Sequence, residues 1–335
     1  MNYFESQAIL EQIIKSNNIL INCHQGPDQD AVGSATALYQ VISGLKKKVT
    51  IICPDKVPGD CKFIPFAEKV QTIDFNWFDF TPYDLFLILD SGDVQQVVNS
   101  RDTKLPSIKK VVIDHHLTNT RFGEINLVDG SMTSAAELLY RIIKDWNIEI
   151  NTSTAQSLLA GMIGDTGAFS YPIVSGQTFL AAKELMDKGA DKDTAILNIY
   201  RNIEFKKMQL WGEMIRNMKI DLENKFVWTT ISKANYDQFN LTESERENAK
   251  SSFAGMFICI IKDTDFGFVA SEDQDKITSV SFRSRTGWDV SKLAVALGGG
   301  GHQYAAGAKI FDLGFAEAVN KVLEKARELC HENKS

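Results

Sequence analysis

Five short polar runs carry residues able to do chemistry. They are His24-Gln25-Gly26-Pro27-Asp28-Gln29-Asp30, Asp90-Ser91-Gly92-Asp93, Asp114-His115-His116, Gly164-Asp165-Thr166-Gly167, and a glycine-rich run from Gly299 through His302 to Gly307. Four of the five histidines lie in them; His331 stands outside and reads as a solvated side chain. Carboxylates and imidazoles gathered on a rigid rim can hold divalent metals such as Mn, Zn or Fe. Two such ions about 3.5–4 Å apart can stabilise both the attacking and the leaving oxygen of a phosphoryl displacement. Taken singly, an Asp after a strand is as readily a turn former or a helix N-cap, and Asp93 reads as structural. Turn chemistry does not account for the whole set in this order.

The elements that must position these runs alternate. Residues 19–23, 48–54, 83–90, 109–114 and 124–129 are short apolar or β-branched stretches that read as strands. Helical periodicity runs from Ala31 to Leu45, and a helix of about fifteen residues is expected from near Thr133. Continuous apolar strands separated by helices indicate a parallel sheet covered on both faces. Ligands gather outside the carboxyl ends of such strands, and the first three polar runs come directly after strands. From Asp191 to about Arg216 the chain reads as one connecting helix. Beyond it, strands are expected at 225–231, 257–262, 266–270 and 276–283, and helices at 243–255, 289–297 and 315–332. Gly298–Gly307 reads as a loop between the last two helices. The fold class is therefore α/β: a parallel-sheet domain over 1–190, a helical linker over 191–216, and a smaller α/β domain with a mixed sheet over 217–335. No internal repeat or low-complexity segment is present.

The 335 residues fit this division at roughly 100–200 residues per domain. A net charge of −7 argues against wrapping duplex DNA, where binding rests on neutralising many phosphates. The five cysteines are odd in number and none is at C-x-x-C spacing, so a reducing compartment is expected rather than a disulfide framework. Residues 1–15 lack the pattern of a signal peptide. No run approaches the ~18 apolar residues of a membrane span. A cytoplasmic location without membrane contact is the expectation.

The ordered runs resemble the motifs of the DHH phosphoesterase superfamily, named for the triplet present here as Asp114-His115-His116. The Gly299–Gly307 run resembles the signature of the DHH-associated C-terminal domain in the oligoribonuclease and phosphoadenosine phosphate phosphatase (nanoRNase) branch. The resemblance covers nearly the whole chain. It implies that His24, Asp28 and Asp90 hold one metal, and that Asp30, His115 and Asp165, again with Asp90, hold a second. Asp90 then bridges. Asp114 supports the histidines, and His116 faces the substrate phosphate as acid or hydrogen-bond donor, so His116 and Asp90 are the catalytic candidates. In the second domain Arg283, Arg285, Gly300, Gly301 and His302 would bind the substrate's other phosphate or nucleotide. The alternating arginines would share one strand face, and a helix after the glycines would add its dipole. Gly26, Gln29 and Ser170 stand where many relatives have Asn, Gly and a basic residue; this bears on loop shape and phosphate contacts rather than on the ligands.

The activity implied is hydrolysis of phosphoester bonds by two-metal attack of hydroxide on phosphorus. Four carboxylates, Asp28, Asp30, Asp90 and Asp165, would be neutralised by two divalent cations. Imidazole ligands point to Mn(II) rather than Mg(II). Expected substrates are short single-stranded RNA oligonucleotides, 3′-phosphoadenosine 5′-phosphate or linear dinucleotides, and a homodimer is an open assembly. Rival readings are a RecJ-type single-strand exonuclease, an inorganic pyrophosphatase and a non-catalytic nucleotide-binding protein.

Overall fold

Strand Asn18–Asn22 (β1) places Ile19 and Ile21 in one apolar core and Leu20 in another, so both faces of the sheet it belongs to are covered. Burial on both faces is why the strands of this sheet read as unbroken apolar runs. The structure is a computed structural model that describes residues 3–98, 103–301 and 303–332. It divides into two compact units, Met1–Asn202 and Ile203–Ser335.

In the first unit, helix Phe4–Lys15 (α1) precedes β1, and helix Gln29–Gly44 (α2) comes after it. Strands Lys48–Cys53 (β2), Val70–Thr72 (β3) and Leu85–Leu89 (β4) come next, then the short helix Val94–Val98 (α3). Strands Lys109–Asp114 (β5) and Ile125–Val128 (β6) complete the sheet. Helices Ala135–Asp145 (α4), Thr152–Asp165 (α5), Gly176–Asp187 (α6) and Lys192–Tyr200 (α7) close the unit. The six strands are all parallel, in the order β3-β2-β1-β4-β5-β6. As in β1, alternate residues of β4 and β5 enter the two opposite cores. The chain leaves β1 toward β2 on one side and returns as β4 on the other. The gap between the ends of β1 and β4 is therefore the topological switch point, where open parallel sheets bind ligands. His24 lies just past β1 and Asp90 just past β4, so both stand at that gap.

The second unit begins with helix Phe205–Arg216 (α8). Next come strands Lys219–Asp221 (β7) and Phe226–Ile231 (β8), helices Lys233–Gln238 (α9) and Glu243–Phe257 (α10), and strands Phe266–Gln274 (β9) and Ile277–Ser284 (β10). Helix Val290–Ala296 (α11), strands Gly300–Gly301 (β11) and Ala305–Phe311 (β12), and helix Phe315–Glu332 (α12) end it. The sheet order is β11-β12-β10-β9-β8-β7, mixed because β8 and β9 are parallel while the other pairs are antiparallel. The α/β class and the two sheet types expected from sequence are thus present.

Three local expectations are corrected. Residues 191–216 are two helices rather than one: α7 packs Ala195 and Tyr200 on the first unit's core, and α8 packs Leu210, Trp211 and Met214 on a core of the second. The break at 201–204 falls where the packing partner changes. Residues 257–262 are not a strand. They are the end of α10 and a 3-10 turn, Ile258–Ile260, with Ile258 buried in the same core as Phe253. A short apolar run fits either element, and packing decides. The run 298–307 is not only a loop, since β11 pairs with β12, Gly300 opposite Gly307 and Gly301 opposite Ala306. The glycines lead into strand β12 rather than into a helix, so they gain no helix dipole.

Candidate metal centre

Asp90 sits one residue beyond β4 in the left-handed region, φ +50°, an uncommon conformation for a residue with a side chain. Its amide donates to the Ile113 carbonyl at 3.1 Å, extending the β4–β5 ladder while the side chain turns into the switch point. It is almost fully buried, at 3% exposure. Its two oxygens face different partners: His24 Nε2 is 3.3 Å from Oδ2, and His115 Nε2 is 3.4 Å from Oδ1. Oδ1 is buried and accepts no hydrogen bond. A buried carboxylate oxygen left in this way is costly unless a cation meets it.

His24 is carried by the end of β1, and its Nδ1 lies 2.7 Å from the Gln25 carbonyl, which leaves Nε2 toward Asp90. Asp28 has the bland role as well as the interesting one. It N-caps α2, its Oδ1 accepting from the amides of Asp30 and Ala31 at 3.0 Å, while His24 Nε2 stands 4.0 Å from the same oxygen. Asp30 lies in the first turn of α2 and points at the start of α4, where Ala135 and Ala136 donate their amides at 2.6 and 2.9 Å. Asp165, the last residue of α5, reaches His115 Nε2 at 3.4 Å.

Close helix packing is what brings Asp165 beside Asp30. A Cβ on Gly33 of α2 would stand 2.4 Å from the Ser157 carbonyl of α5, and one on Gly161 would stand 2.8 Å from Asp30 Oδ1. Both positions require glycine for α2 and α5 to approach. Neither glycine stands out in the motifs, although small residues at the contact positions of both helices are a visible signal.

Three overlapping donor sets result: His24, Asp28 and Asp90; Asp30, His115 and Asp165; and Asp90, His115 and His116. In each, the ligand atoms lie within 4.8 Å of one another. All six sequence-expected ligands fall in these sets. The first two share no residue but meet through Asp90, whose Oδ1 faces His115. Nitrogen and oxygen donors at such separations, around an orphaned buried oxygen, fit divalent cations.

The donors perturb one another's protonation. Burial opposes charge on His24, but Asp90 overrides it and lifts the imidazole to about 10. His115 is likewise raised by Asp90 and Asp165 against burial. Asp90 resists the upward push of burial and is held well below the ordinary range by the His115 and His24 imidazoles. Burial lifts Asp165 to about 7 and raises Asp30, to which Asp90 and Asp165 add repulsion. Imidazoles raised by carboxylates, and carboxyls raised by burial and mutual repulsion, mark a site with an excess of negative charge, which a divalent cation would offset.

His116 is oriented differently from His115. Its Nδ1 lies 2.7 Å from Asp114 Oδ1, and Asp114 is fully buried, also accepting from Asn119 Nδ2 at 2.6 Å. Asn119 in turn donates to the Ser91 carbonyl at 2.9 Å, tying the triplet to the Asp90 loop. Sequence reasoning misses Asn119, and nothing short of the fold links it to residues 91 and 114. His115 instead has Nδ1 3.4 Å from the Met132 carbonyl. Asp93 caps α3, its Oδ1 accepting from the Gln96 amide at 3.0 Å, a structural role as expected.

The second unit's candidates lie around the end of β10 and the β11–β12 pair. Arg283, on β10, reaches Ser251 Oγ of α10 at 3.3 Å. Arg285 lies one residue beyond the strand, and its Nη1 donates to the Thr264 carbonyl at 2.9 Å. The Arg285 amide donates to the Asp265 carbonyl at 2.8 Å, continuing the β9–β10 pairing past Ser284. Gly300 and Gly301 form β11, and a Cβ on Gly301 would stand 2.5 Å from Ala306 Cα, so close strand pairing already calls for glycine there. His302 lies outside the described residues.

The model of the DHH family, N-terminal domain, matches residues 18–162, and that of the DHHA1 domain matches residues 241–332. The chain is 26% identical over 336 residues to a bifunctional oligoribonuclease and PAP phosphatase NrnA of Thermus thermophilus, covering 97% of this chain and 95% of that one. It is 26% identical over 329 residues to the protein of the same name from Bacillus subtilis, covering 97% and 98%. The crystal structure of an exopolyphosphatase-related protein from Bacteroides fragilis superposes with a TM-score of 0.87 at 24% identity, covering 98% of this chain and 97% of that one. That likeness speaks to the fold.

Proposed function

The chain belongs to the DHH family, as a phosphoesterase with a DHH N-terminal domain and a DHHA1 domain, and from that premise we propose that it hydrolyses short RNA oligonucleotides and 3′-phosphoadenosine 5′-phosphate. The observation that carries the proposal is the pair of Asp/His donor sets joined through Asp90 at the switch point of the parallel sheet. His24, Asp28 and Asp90 would hold one divalent cation and Asp30, Asp90, His115 and Asp165 a second, with Mn(II) suited to the mixed donors. Bound there, the cations would lower the pKa of water and offset phosphate charge.

The chain's own groups then have separable tasks. Asp90 fixes the spacing of the two donor sets. Asp30, held by two backbone amides at the start of α4, cannot swing away when charge in the site changes. Asp114 and Asn119 fix the His116 ring through Nδ1, so that Nε2 is the nitrogen that would hydrogen-bond a phosphate oxygen or protonate the leaving ribose oxygen. Arg283, Arg285, Gly300, Gly301 and His302 are proposed to bind the rest of the substrate. The assignment of catalysis to residues 1–190 and substrate binding to 217–335 belongs to the same reading. Among the described residues no helix is long and apolar enough to cross a membrane, and no cysteine is in a disulfide. A reducing cytoplasm suits those thiols.

The test is a substrate panel: a dinucleotide, a pentanucleotide, phosphoadenosine phosphate and pyrophosphate, each with Mn(II) and with chelator. Mn-dependent release from the first three, and little from pyrophosphate, is expected. Pyrophosphate as the best substrate would overturn the proposal.

A further inference from the structure

We propose that the uncovered face of β12 is a track for the tail of a single-stranded oligonucleotide, where Lys309 meets a phosphate and Phe311 stacks a base beyond the nucleotide bound at Arg283. The inference rests on the oligonucleotide hydrolysis and the binding role of Arg283 proposed above, and it adds how substrate length is sensed.

Side chains on a strand alternate between the two faces of its sheet. In β12 the alternation is complete. Ala306, Ala308 and Ile310 enter a core of the second unit, whereas Lys309 is exposed and Phe311 is 57% exposed. The pairing with β10 runs without interruption from Ala305 opposite Arg283 to Phe311 opposite Ile277. Residues directly opposite in an antiparallel pair share a face, so Ser279, Ser281 and Arg283 lie on the same side as Lys309 and Phe311. Helix α10 packs on the β10 part of that side: Lys250 donates to Ser279 Oγ, and Arg283 reaches Ser251 Oγ at 3.3 Å. Beyond the helix the floor is nearly bare. Gly307 stands between Ser281 on β10 and Gly300 on β11, and Ala305 shares its face two residues away. A floor without side chains lets a sugar-phosphate backbone approach closely.

The charge on this face favours an anion. Asp273 accepts from Ser271 and Ser279 at 3.0 and 2.7 Å, and Glu247 pairs with Lys250 at 2.8 Å, so these carboxylates are already engaged. Lys309 has no hydrogen-bond or ion-pair partner among the described residues. Positive charge that follows the backbone, joined to an exposed aromatic ring on which a base stacks, is how proteins hold single strands without reading sequence. At about 3.4 Å of rise per residue, Lys309 lies about 14 Å and Phe311 about 20 Å along the strand from Ala305, the residue opposite Arg283. A substrate held at Arg283 therefore engages Phe311 only if it has nucleotides to spare.

The experiment measures kcat/KM for release of the first nucleotide from a diadenosine dinucleotide and from an adenosine pentanucleotide. Wild type, Lys309→Ala, Phe311→Ala and Phe311→Tyr are compared, each loaded with Mn and with its unfolding midpoint measured in parallel. The ratio of the pentanucleotide value to the dinucleotide value should fall by roughly 5- to 150-fold in Phe311→Ala and stay within about twofold of wild type in Phe311→Tyr. In Lys309→Ala the slope of log kcat/KM for the pentanucleotide against log salt should become shallower by about 0.7, the share of one phosphate contact on a single strand. An unchanged ratio in Phe311→Ala, an unchanged slope in Lys309→Ala, or a Phe311→Tyr protein that behaves like Phe311→Ala would each overturn the track. So would a wild type that cleaves the dinucleotide and leaves the pentanucleotide intact. A wild type that cleaves neither would instead refute the hydrolysis on which the track rests.

Discussion

At the scale of single residues, the adjacent histidines of the triplet differ by what holds each ring. His115 presents Nε2 to Asp90 and Asp165, both at 3.4 Å, whereas His116 gives Nδ1 to the buried Asp114. We predict that His115→Ala lowers Mn occupancy. His116→Ala should keep occupancy and slow turnover by about 10²–10⁴-fold, the usual contribution of an acid–base group. Metal analysis and steady-state kinetics on the purified variants check this. Equal metal loss in both would show that the third donor set, with His116 in it, is the one that binds. Asp28 carries a different lesson. As an N-cap of α2 it satisfies the ordinary expectation for an Asp after a strand, and the same carboxylate faces His24. Residue type and spacing announce either role, and only the surroundings show that both are filled.

At the scale of elements, the centre depends on how closely α2 and α5 pack. Gly161→Ala would press a methyl against Asp30 Oδ1 and against Ala136 Cβ, 2.7 Å away. It should destabilise the protein by about 1–3 kcal/mol and lower Mn affinity with it. Gly212→Ala, in the interior of α8 with open space around the position, should stabilise by about 0.5–1 kcal/mol. Urea unfolding of both variants, with Mn titration of the first, measures the contrast. The strands of the first sheet are legible in the sequence because burial on both faces writes an apolar run, and that run also places the polar residues after β1, β4 and β5. Asp165 is recognisable by motif, but its place is not legible, because a helix end rather than a strand end carries it. The second unit is harder to read. The short edge strands β7 and β11 have too few residues to set a pattern, and the run at 257–262 fits a strand until Ile258 is seen packed beside Phe253. Arg283 and Arg285 look paired by spacing, and the structure gives them different partners, Ser251 Oγ and the Thr264 carbonyl.

At the scale of the whole molecule, the chain forms two units, each with its own sheet and cores. If the second unit serves binding, Arg283→Ala should reduce kcat/KM for a dinucleotide by roughly 10–150-fold, the loss of a hydrogen bond to a charged group. A small activated diester such as bis-p-nitrophenyl phosphate should be affected far less. Kinetics on both substrates decide it, and equal losses would remove the second unit from substrate binding.

The central claim is that two divalent cations, joined through Asp90, are what make this fold a phosphoester hydrolase. Its most direct test is a Mn(II) titration of metal-free protein, tracking dinucleotide hydrolysis and bound metal together. For wild type, activity should rise from none and level off at about two equivalents per chain, as a paired site requires. Asp90→Ala, folded by circular dichroism, should bind less Mn and show no turnover at any addition. Wild-type hydrolysis that persists in excess chelator, or wild-type turnover in Mn-loaded Asp90→Ala, would contradict the account.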